Sequence, residues 1–480
     1  MELNRHIERS VARHIALTER FYYHPEQRIS DLAASLGVDR NTVLSDIAAL
    51  TSLLGTSIEG QERTRGRVSV RFARNCTLLE LIQRVYGESN LLLLCNAYLA
   101  HEVDIAAFAG RLGLSISAAY ALNRRAVALL TAMGGTVRKC RLIADETRFR
   151  YIAILIRTAL GFRPPALRAH LVAVNRIISE FERRFGFPLT DLDRSFLRAA
   201  MGLTLERGRY ALDAWFLEAT ADIPAHAFFE FEVDIDGRSI SHEEALFLGA
   251  MAACVTAKNR VAGRDALARW IDASPWFARL AESMAERFGA KVCATDLFRA
   301  SLRRLYLFER IGAAATAFTQ DRPVADAYRD VYDDSRTIMD TWKRDLPGPG
   351  TEANADLIAQ FVLQITPLID RRPAPPRFLC AVVTLSELNR LTISYAVTRR
   401  FSGTGQVVEG AFTDIASACA ALDSAKDADD GALTIVIVDR EYPTGEPTEL
   451  GGHRIISASV VSGTDALAER IDRALSGAGA

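Results

Sequence analysis

The chain has 480 residues, of which 49% are hydrophobic and 24% charged, a composition typical of globular proteins. This length predicts several domains, and no run of about 18 uncharged apolar residues indicates a membrane span. The charged N-terminal segment argues against a signal peptide, and seven cysteines without a CxxC pair favour reduced thiols in a cytoplasm. We therefore expect a cytoplasmic protein that does not associate with a membrane and binds no metal or cofactor.

The net charge of −1 is unevenly distributed along the chain. Residues 1–150 contain 20 lysines and arginines against 15 acidic residues, whereas the remainder contains 38 against 44. A basic front part indicates that a polyanionic partner would bind there, because charge attracts oppositely charged partners.

Residues 29–50 have the pattern of a helix-turn-helix, in which two short amphipathic helices flank a turn that contains glycine. Ser30 and Asp39 are the predicted N-caps, and Gly37 is expected to close the first helix in a left-handed conformation. The alternative is an ordinary helical hairpin. A second helix of this kind can enter a major groove, which predicts DNA contacts from its outward residues. These residues are Arg40, Asn41, Thr42 and Ser45.

A hairpin is predicted directly after the second helix. Val68, Val70 and Phe72 alternate with polar residues, as in a half-buried strand, and Gly60 and Gly66 are expected at the tips. Its basic side chains would face DNA phosphates, as in a wing, although a solvated hairpin is the alternative. These side chains are Arg63, Arg65 and Arg67.

The same pattern recurs in residues 104–130, where Gly113 takes the place of the turn glycine and Ser115 that of the second cap. Residues 136–143 resemble a second wing. Two tandem copies are much harder to obtain by chance than one, and they favour DNA binding. The outward residues of this copy that are predicted to contact DNA are Ser117, Tyr120, Asn123, Arg124, Arg125, Arg138, Lys139 and Arg141.

Residues 166–345 are predicted to be mostly helical and contain a long repeat. Arg-Phe-Gly at 184–186 recurs at 287–289, and Glu-Arg at 206–207 recurs at 309–310, both at an offset of 103 residues. A period this long predicts a duplicated domain, here two helical bundles suited to regulation or dimerisation.

The pattern of the sequence changes from mainly helical to alternating strands and helices in the last part of the chain. Residues 378–383, 432–438 and 454–461 read as buried strands, and residues 386–401 and 465–475 as helices. Alternating strands and helices predict a small parallel α/β domain.

The predicted fold is multidomain and mainly α. Residues 1–74 and 75–150 form two winged helix-turn-helices, residues 151–265 and 266–370 two helical bundles, and residues 376–480 the α/β domain. This order resembles the Mga/AtxA-like virulence regulators, which contain two phosphotransferase-system regulation domains (PRDs) and a C-terminal domain similar to the EIIB component. The resemblance implies binding to double-stranded promoter DNA, a homodimer held by the rear domains, and control by a phosphotransferase-system carrier protein.

The sequence departs from this family where phosphoryl groups would be accepted. The family pattern Leu-x-x-His, followed seven residues later by Arg, is matched by Leu197 and Arg207, but Ala200 stands in place of the histidine. The repeat partner of Ala200 is Arg303, which is not a histidine either. The resemblance therefore implies a regulator whose histidine phosphorylation is lost or altered.

Two histidines remain as candidate phosphorylation sites, His170 and His242. The EIIB-like domain has no cysteine at the end of its first strand, and Cys380 inside that strand is expected to be buried with a raised pKa. The chain is not predicted to be an enzyme, and no catalytic residue is assigned. The alternatives are a PRD-containing RNA-binding antiterminator, which would begin with a β-rich domain, and a phosphotransfer-system component, which needs a reactive histidine or cysteine.

Overall fold

The chain is mainly helical with a small sheet region, which confirms the mainly α part of the predicted fold class. The computed structural model describes residues 3–100, 103–185, 188–221, 234–235, 238–257, 262–316, 328–346, 352–369, 378–401, 404–426, 433–439, 448–458 and 463–476. No single helix in these ranges is long and apolar enough to cross a membrane, although the bent pair formed by Ile105–Leu112 and Ile116–Ala132 reaches that length and composition jointly.

Residues 3–72 form three helices and a three-stranded antiparallel sheet. The elements are α1 Arg9–Tyr23, β1 Glu26–Arg28, α2 Ile29–Leu36, α3 Arg40–Leu54, β2 Ile58–Thr64 and β3 Arg67–Phe72. Val43 and Ile47 are buried on α3, because apolar residues recur there at helical spacing. Strand β3 lies between β1 and β2, and its alternating Val68 and Val70 are buried.

Residues 77–143 repeat this plan with four helices and a short hairpin. The elements are α4 Leu78–Tyr86, α5 Asn90–Ala100, α6 Ile105–Leu112, α7 Ile116–Ala132, β4 Thr136–Arg138 and β5 Arg141–Ile143. Helix α4 begins with a capping box, in which Thr77 accepts from the backbone of Glu80 and Glu80 accepts from the backbone of Thr77. Helix α4 packs against α1 and α3, and also against α8, the helix at Glu146–Leu160.

Within its described residues, the middle of the chain is helical apart from one small hairpin. Its helices are α8 Glu146–Leu160, α9 Pro165–Ala169, α10 Leu171–Phe185, α11 Asp191–Arg207, α12 Ala214–Thr220, α13 His242–Thr256, α14 Ala262–Asp272, α15 Pro275–Phe288, α16 Ala290–Cys293, α17 Asp296–Arg310, α18 Arg329–Arg344 and α19 Ala355–Ile369. The hairpin pairs β6 Asp234–Ile235 with β7 Arg238–Ser239.

The repeat found in the sequence coincides with matching helix ends. Helices α10 and α15 end at Phe185 and Phe288, and α11 and α17 end at Arg207 and Arg310, each pair at the offset of 103. The repeated glutamates have equivalent roles as well, because Glu206 accepts from Arg157 and Glu309 accepts from Lys343, both on a neighbouring helix. In each repeat the glutamate of the Glu-Arg pair thus joins the end of its helix to another helix, an earlier one for Glu206 and a later one for Glu309.

The C-terminal part is a five-stranded sheet with helices packed on it. Its elements are β8 Phe378–Val383, α20 Glu387–Arg400, β9 Gly405–Val407, α21 Ile415–Lys426, β10 Leu433–Asp439, β11 Thr448–Leu450, β12 His453–Ala458 and α22 Gly463–Ser476. The strand order is β11-β12-β10-β8-β9, and only β11 runs antiparallel. The three predicted strands and two predicted helices are confirmed, except that residue 432 and residues 459–461 lie outside the described residues. Strands β9 and β11 and helix α21 were not predicted.

Candidate nucleic-acid interface

The turn between α2 and α3 is fixed by three residues. Gly37 adopts a left-handed conformation with φ 62°, and the N–H of Val38 bonds to the carbonyl of Ala33, which closes α2. Asp39 Oδ1 then accepts from the backbone N–H groups of Asn41 and Thr42 at 2.8 and 2.9 Å. The pKa of Asp39 is lowered, first by the hydroxyl of Thr42 and then by these backbone donors. The predicted turn glycine and cap are therefore confirmed.

Helix α3 is held against α1 by a two-point ion pair. Arg13 donates to both carboxylate oxygens of Asp46, at 2.6 and 3.1 Å, and His14 Nε2 lies 3.3 Å from the same carboxylate. Asp46 is buried, so this contact fixes the rotation of α3 more firmly than a surface pair would. Arg13 and Asp46 were not singled out in the sequence, where the only signal was a carboxylate on the apolar face of α3.

This rotation turns the start of α3 outward. Arg40, Asn41 and Ser45 are exposed, whereas Thr42 is half-buried and donates its hydroxyl to Asp39 Oδ2 at 2.6 Å. Ser30 is not the cap of α2, because the helix already begins at Ile29, and its hydroxyl donates to Asp31 instead. Three of the four residues predicted to contact DNA on this helix thus share an open surface.

The first hairpin places its arginines around the tip. Gly66 has φ 86° in the turn, and Arg63, Arg65 and Arg67 are all exposed. Arg63 lies opposite Val68 in the register and Arg67 opposite Thr64, so these two arginines point to opposite faces of the hairpin. Arg67 also donates to Glu26 Oε1 at 2.7 Å, which leaves Arg63 and Arg65 as the more available cations. Gly60 is not at a tip but inside β2, beside a register shift.

The second turn copies the first. Gly113 has φ 64°, and the hydroxyl of Ser115 accepts from the backbone N–H of Ala118 at 3.2 Å. Helices α6 and α7 meet at a bend of 114°, within the range of roughly 90–120° that is usual for helix-turn-helix motifs. The predicted turn glycine and cap of this copy are confirmed.

The residues predicted on α7 divide into exposed and anchored groups. Ser117, Tyr120 and Arg124 are exposed, and Tyr120 shows 53% of its surface to solvent although it is a large aromatic residue. Such a ring on the second helix of the turn is available for contact with a partner. These three residues form the open surface of α7.

Asn123 and Arg125 have structural partners. Asn123 is half-buried, and its Oδ1 accepts from the hydroxyl of Tyr98 at 2.6 Å, so it ties α7 to α5. Burial raises the pKa of Tyr98 to about 12, with smaller effects from two neighbouring thiols, so the phenol remains a donor at neutral pH. Arg125 is exposed but donates to the main-chain carbonyl of His6. Both side chains orient α7.

The second hairpin concentrates positive charge at its tip. Arg138 and Arg141 are a directly opposed cross-strand pair, and Lys139 stands in the turn between them, all three exposed. Lys139 and Cys140 have φ 47° and 59°, which L residues adopt at a cost of roughly 1–2 kcal/mol each. Opposed like charges also destabilise a hairpin.

The two candidate phosphorylation residues lie at the ends of different helices. His170 is half-buried at the end of α9, and His242 is exposed at the first position of α13 rather than before that helix. Ala200, where the family pattern would have histidine, is fully buried on α11, and Arg303 pairs with Asp272 at 2.8 Å. No geometry around either histidine distinguishes it as an acceptor among the described residues.

The sheet likewise offers little nucleophilic chemistry. Cys380 is fully buried inside β8, and burial strongly raises its pKa, as the sequence predicted. Beyond the end of β8, Thr384 and Asn389 donate to Asp439 Oδ2 at 2.7 and 2.9 Å. Within the described ranges no cluster of three or more histidine, cysteine or acidic side chains is arranged to hold a metal ion.

No protein-family model matches this chain, and no curated protein matches it in sequence. The indication of function therefore comes from the geometry of the two helix pairs and their basic hairpins.

Proposed function

We propose that this protein is a DNA-binding transcriptional regulator of the Mga/AtxA type, with two winged helix-turn-helix modules in its front part. The observation that carries the proposal is the twofold occurrence of one arrangement. In each copy a left-handed glycine, Gly37 or Gly113, precedes a capped helix whose first turns are exposed, and a hairpin with a basic tip follows.

The chemistry of the exposed groups supports this proposal. Arg40, Asn41 and Ser45 on α3, with Ser117 and Arg124 on α7, can donate to base edges and to phosphates. Helix N-termini add partial positive charge, which favours a phosphate nearby. The arginines and lysine at the two hairpin tips would contact the backbone on either side of the reading helices.

The rear of the molecule completes the proposal. The helical repeat and the parallel sheet correspond to two PRD-like domains and an EIIB-like domain that join two copies of the chain as a homodimer. A dimer places equivalent helices in successive grooves of a two-fold site. Light scattering of the full chain would give the mass of a dimer, and a mass of one chain would remove this part of the proposal.

The test is fluorescence anisotropy with a duplex taken from upstream of the coding region. We expect Arg40→Ala and Arg124→Ala to weaken duplex binding about tenfold each, since a good base contact contributes roughly 1–3 kcal/mol. Arg183→Ala removes an exposed arginine from α10 as a matched control and should leave affinity unchanged.

The same assay separates this proposal from an RNA-binding antiterminator. We expect unlabelled duplex DNA to displace the probe at far lower concentration than a hairpin RNA of equal length. Stronger competition by the RNA, or no binding to the duplex at 50 mM salt, would overturn the proposal.

A further inference from the structure

A small polar cavity lies where the front part meets the first helical bundle. It has a volume of about 190 Å³, and its walls come from α4, α8, α9, α11 and the segment between α8 and α9. Helix α4 belongs to the front part and packs against α1 and α3, which carries one of the predicted reading surfaces. The cavity is therefore placed to connect the two parts of the molecule.

Three arginines line this cavity, and their hydrogen-bonding capacity is not fully used. Arg157 is 7% exposed, and among the described residues its Nε–H has no hydrogen-bond partner, although its Nη1 donates to Glu206. Arg198 donates its Nε–H to the amide oxygen of Asn175 at 2.8 Å. In the described part of the chain no carboxylate lies within ion-pair distance of Arg198 or of the exposed Arg163. The cavity thus presents guanidinium donors that its own carboxylates, Asp191 and Glu80, do not pair with.

The electrostatics around Arg198 agree with this geometry. Its pKa is lowered, first by burial and then by the positive charges of Arg163 and Arg194, and the carboxylates of Asp191 and Glu182 offset this only in part. Asp191 and Glu80 also line the cavity, but Glu80 is occupied by the capping box at the start of α4. A bound anion would relieve the repulsion between the arginines, as carboxylates do in ordinary ion pairs.

We propose that this cavity binds a small phosphate-bearing anion, held by Arg163 and Arg198 beside the incompletely hydrogen-bonded guanidinium of Arg157. The volume suits inorganic phosphate or a phosphate ester of a few carbons and is too small for a nucleotide, which needs a pocket of several hundred Å³. Arginine forks match the geometry of phosphate oxygens, and partial burial strengthens such contacts. Ser195 adds a hydroxyl on the same wall.

Gln83 provides the route from this site to the front part. Its amide nitrogen donates to the carbonyl of Thr158 at 2.8 Å and to the hydroxyl of Ser195 at 3.2 Å, so one side chain of α4 bonds to both α8 and α11. Its side chain also packs against Gly161, where a Cβ atom would lie 2.6 Å from the Gln83 amide oxygen. An anion that draws Arg198 and Ser195 together would shift these bonds. The anion would therefore alter the position of α4 and, through α3, the affinity for duplex DNA. This effect on affinity rests on the proposed DNA binding.

Calorimetric titration of the full chain tests the site without DNA. The probes are inorganic phosphate, glycerol 3-phosphate and, at matched ionic strength, chloride. We expect Arg163→Gln and Arg198→Gln to weaken binding of the phosphate probes at least tenfold, because a hydrogen bond to a charged group contributes about 1.5–3 kcal/mol. Arg168→Gln, an exposed arginine of α9 outside the cavity, is the control and should bind normally. Equal binding by all variants, or no heat with either phosphate probe, would overturn the proposal.

The probes also separate the two sources of phosphate. Tighter binding of glycerol 3-phosphate indicates a sugar- or glycerol-phosphate effector, whereas equal binding indicates that the site reads phosphate alone. Both results support the site. Because Arg163 is exposed, the Arg163→Gln variant keeps the fold, and circular dichroism with an unchanged melting temperature verifies this.

The coupling is measured by repeating duplex titrations with and without saturating phosphate ester. We expect a change in duplex affinity of fivefold or more, and the same factor in ester affinity when duplex is saturating, since linkage is reciprocal. Because Gln83 also lines the cavity, Gln83→Leu should abolish this factor while lowering ester affinity less than Arg198→Gln does. Ester binding without any DNA binding would contradict the proposed function and leave the anion site standing.

Discussion

At the scale of single residues, one buried network stabilises the first helical bundle. Arg150 is fully buried and donates to both carboxylate oxygens of Glu244 at 2.7 and 2.6 Å, and its Nε–H donates to Glu146 at 2.8 Å. Arg207 donates to the same Glu146 and stacks on Phe149 with 3.9 Å between the guanidinium carbon and the ring centroid. The network joins α8, α11 and α13, and it includes Arg207, the arginine that matches the Leu-x-x-His…Arg pattern.

We expect Glu244→Gln to lower the free energy of unfolding by about 2–3 kcal/mol, because it leaves the guanidinium of Arg150 buried with half its charge partners. Glu218→Gln changes an exposed carboxylate nearby and serves as the control. Urea denaturation of the full chain gives both values. Equal stability of the two variants would show that the network contributes little.

His24 provides a prediction about pH. Its pKa is lowered from 6.5 to about 4, first by burial and then by the positive charge of Arg20. The folded protein therefore keeps His24 neutral, while the unfolded chain binds a proton as the pH falls below 6.5. The stability due to this residue is complete above pH 6.5 and is lost as the pH falls towards 4, by up to about 3 kcal/mol.

The measurement compares unfolding free energies at pH 7 and pH 5 in wild type and in His24→Gln. We expect the variant to lose less stability between these two values than wild type does. His242→Gln removes an exposed histidine and should keep the wild-type profile. A pH profile of His24→Gln that matches wild type would refute the assignment.

At the scale of elements, the sequence predicted what local chemistry determines. The turn glycines and the helix caps interact only with residues close to them in sequence, so they can be predicted from the sequence alone. These residues are Gly37, Gly113, Asp39 and Ser115. The prediction that Ser30 caps α2 was wrong because the helix begins one residue earlier, at Ile29. The backbone N–H of Ile29 bonds to the carbonyl of Gly66 in the distant hairpin.

The elements that were not predicted depend on distant partners. Strands β1, β9 and β11 are three residues long, too short for an alternating pattern, and each exists because a longer strand lies beside it. The sequence likewise placed Asn123 among the DNA contacts, because its helical position is outward. Its bond to Tyr98 on α5 could only be found from the packing of the two helices.

This division of α7 leads to a paired prediction. We expect Tyr120→Ala to weaken duplex binding about tenfold with little loss of stability, because 53% of the residue is exposed. Tyr98→Phe should do the reverse, since it removes a hydrogen bond worth roughly 1 kcal/mol and leaves the open surface intact. Anisotropy and thermal melting of both variants check this. Loss of stability in Tyr120→Ala with normal binding would show that the ring is structural.

At the scale of the whole molecule, two helices connect the parts. Helix α4 lies between the first helix pair and the helical bundles, and α19 packs against α17 and α18 on one side and α20 and α22 on the other. Buried side chains of one continuous cluster extend from Leu3 to Ile455 among the described residues. A change at the rear therefore has a packed route to the front. The sequence indicated the order of the parts, but these contacts required the structure.

We propose above all that the two basic hairpins of the front part bind the phosphates of a DNA duplex. The most direct test is the slope of log Kd against log salt concentration for wild type and for a variant with Arg63, Arg65, Arg138 and Lys139 changed to Gln. We predict salt-sensitive binding whose slope falls by about 3–4 in the variant, close to 0.9 for each phosphate contact removed. An identical slope in the two proteins, or duplex binding that does not weaken with salt, would contradict the account.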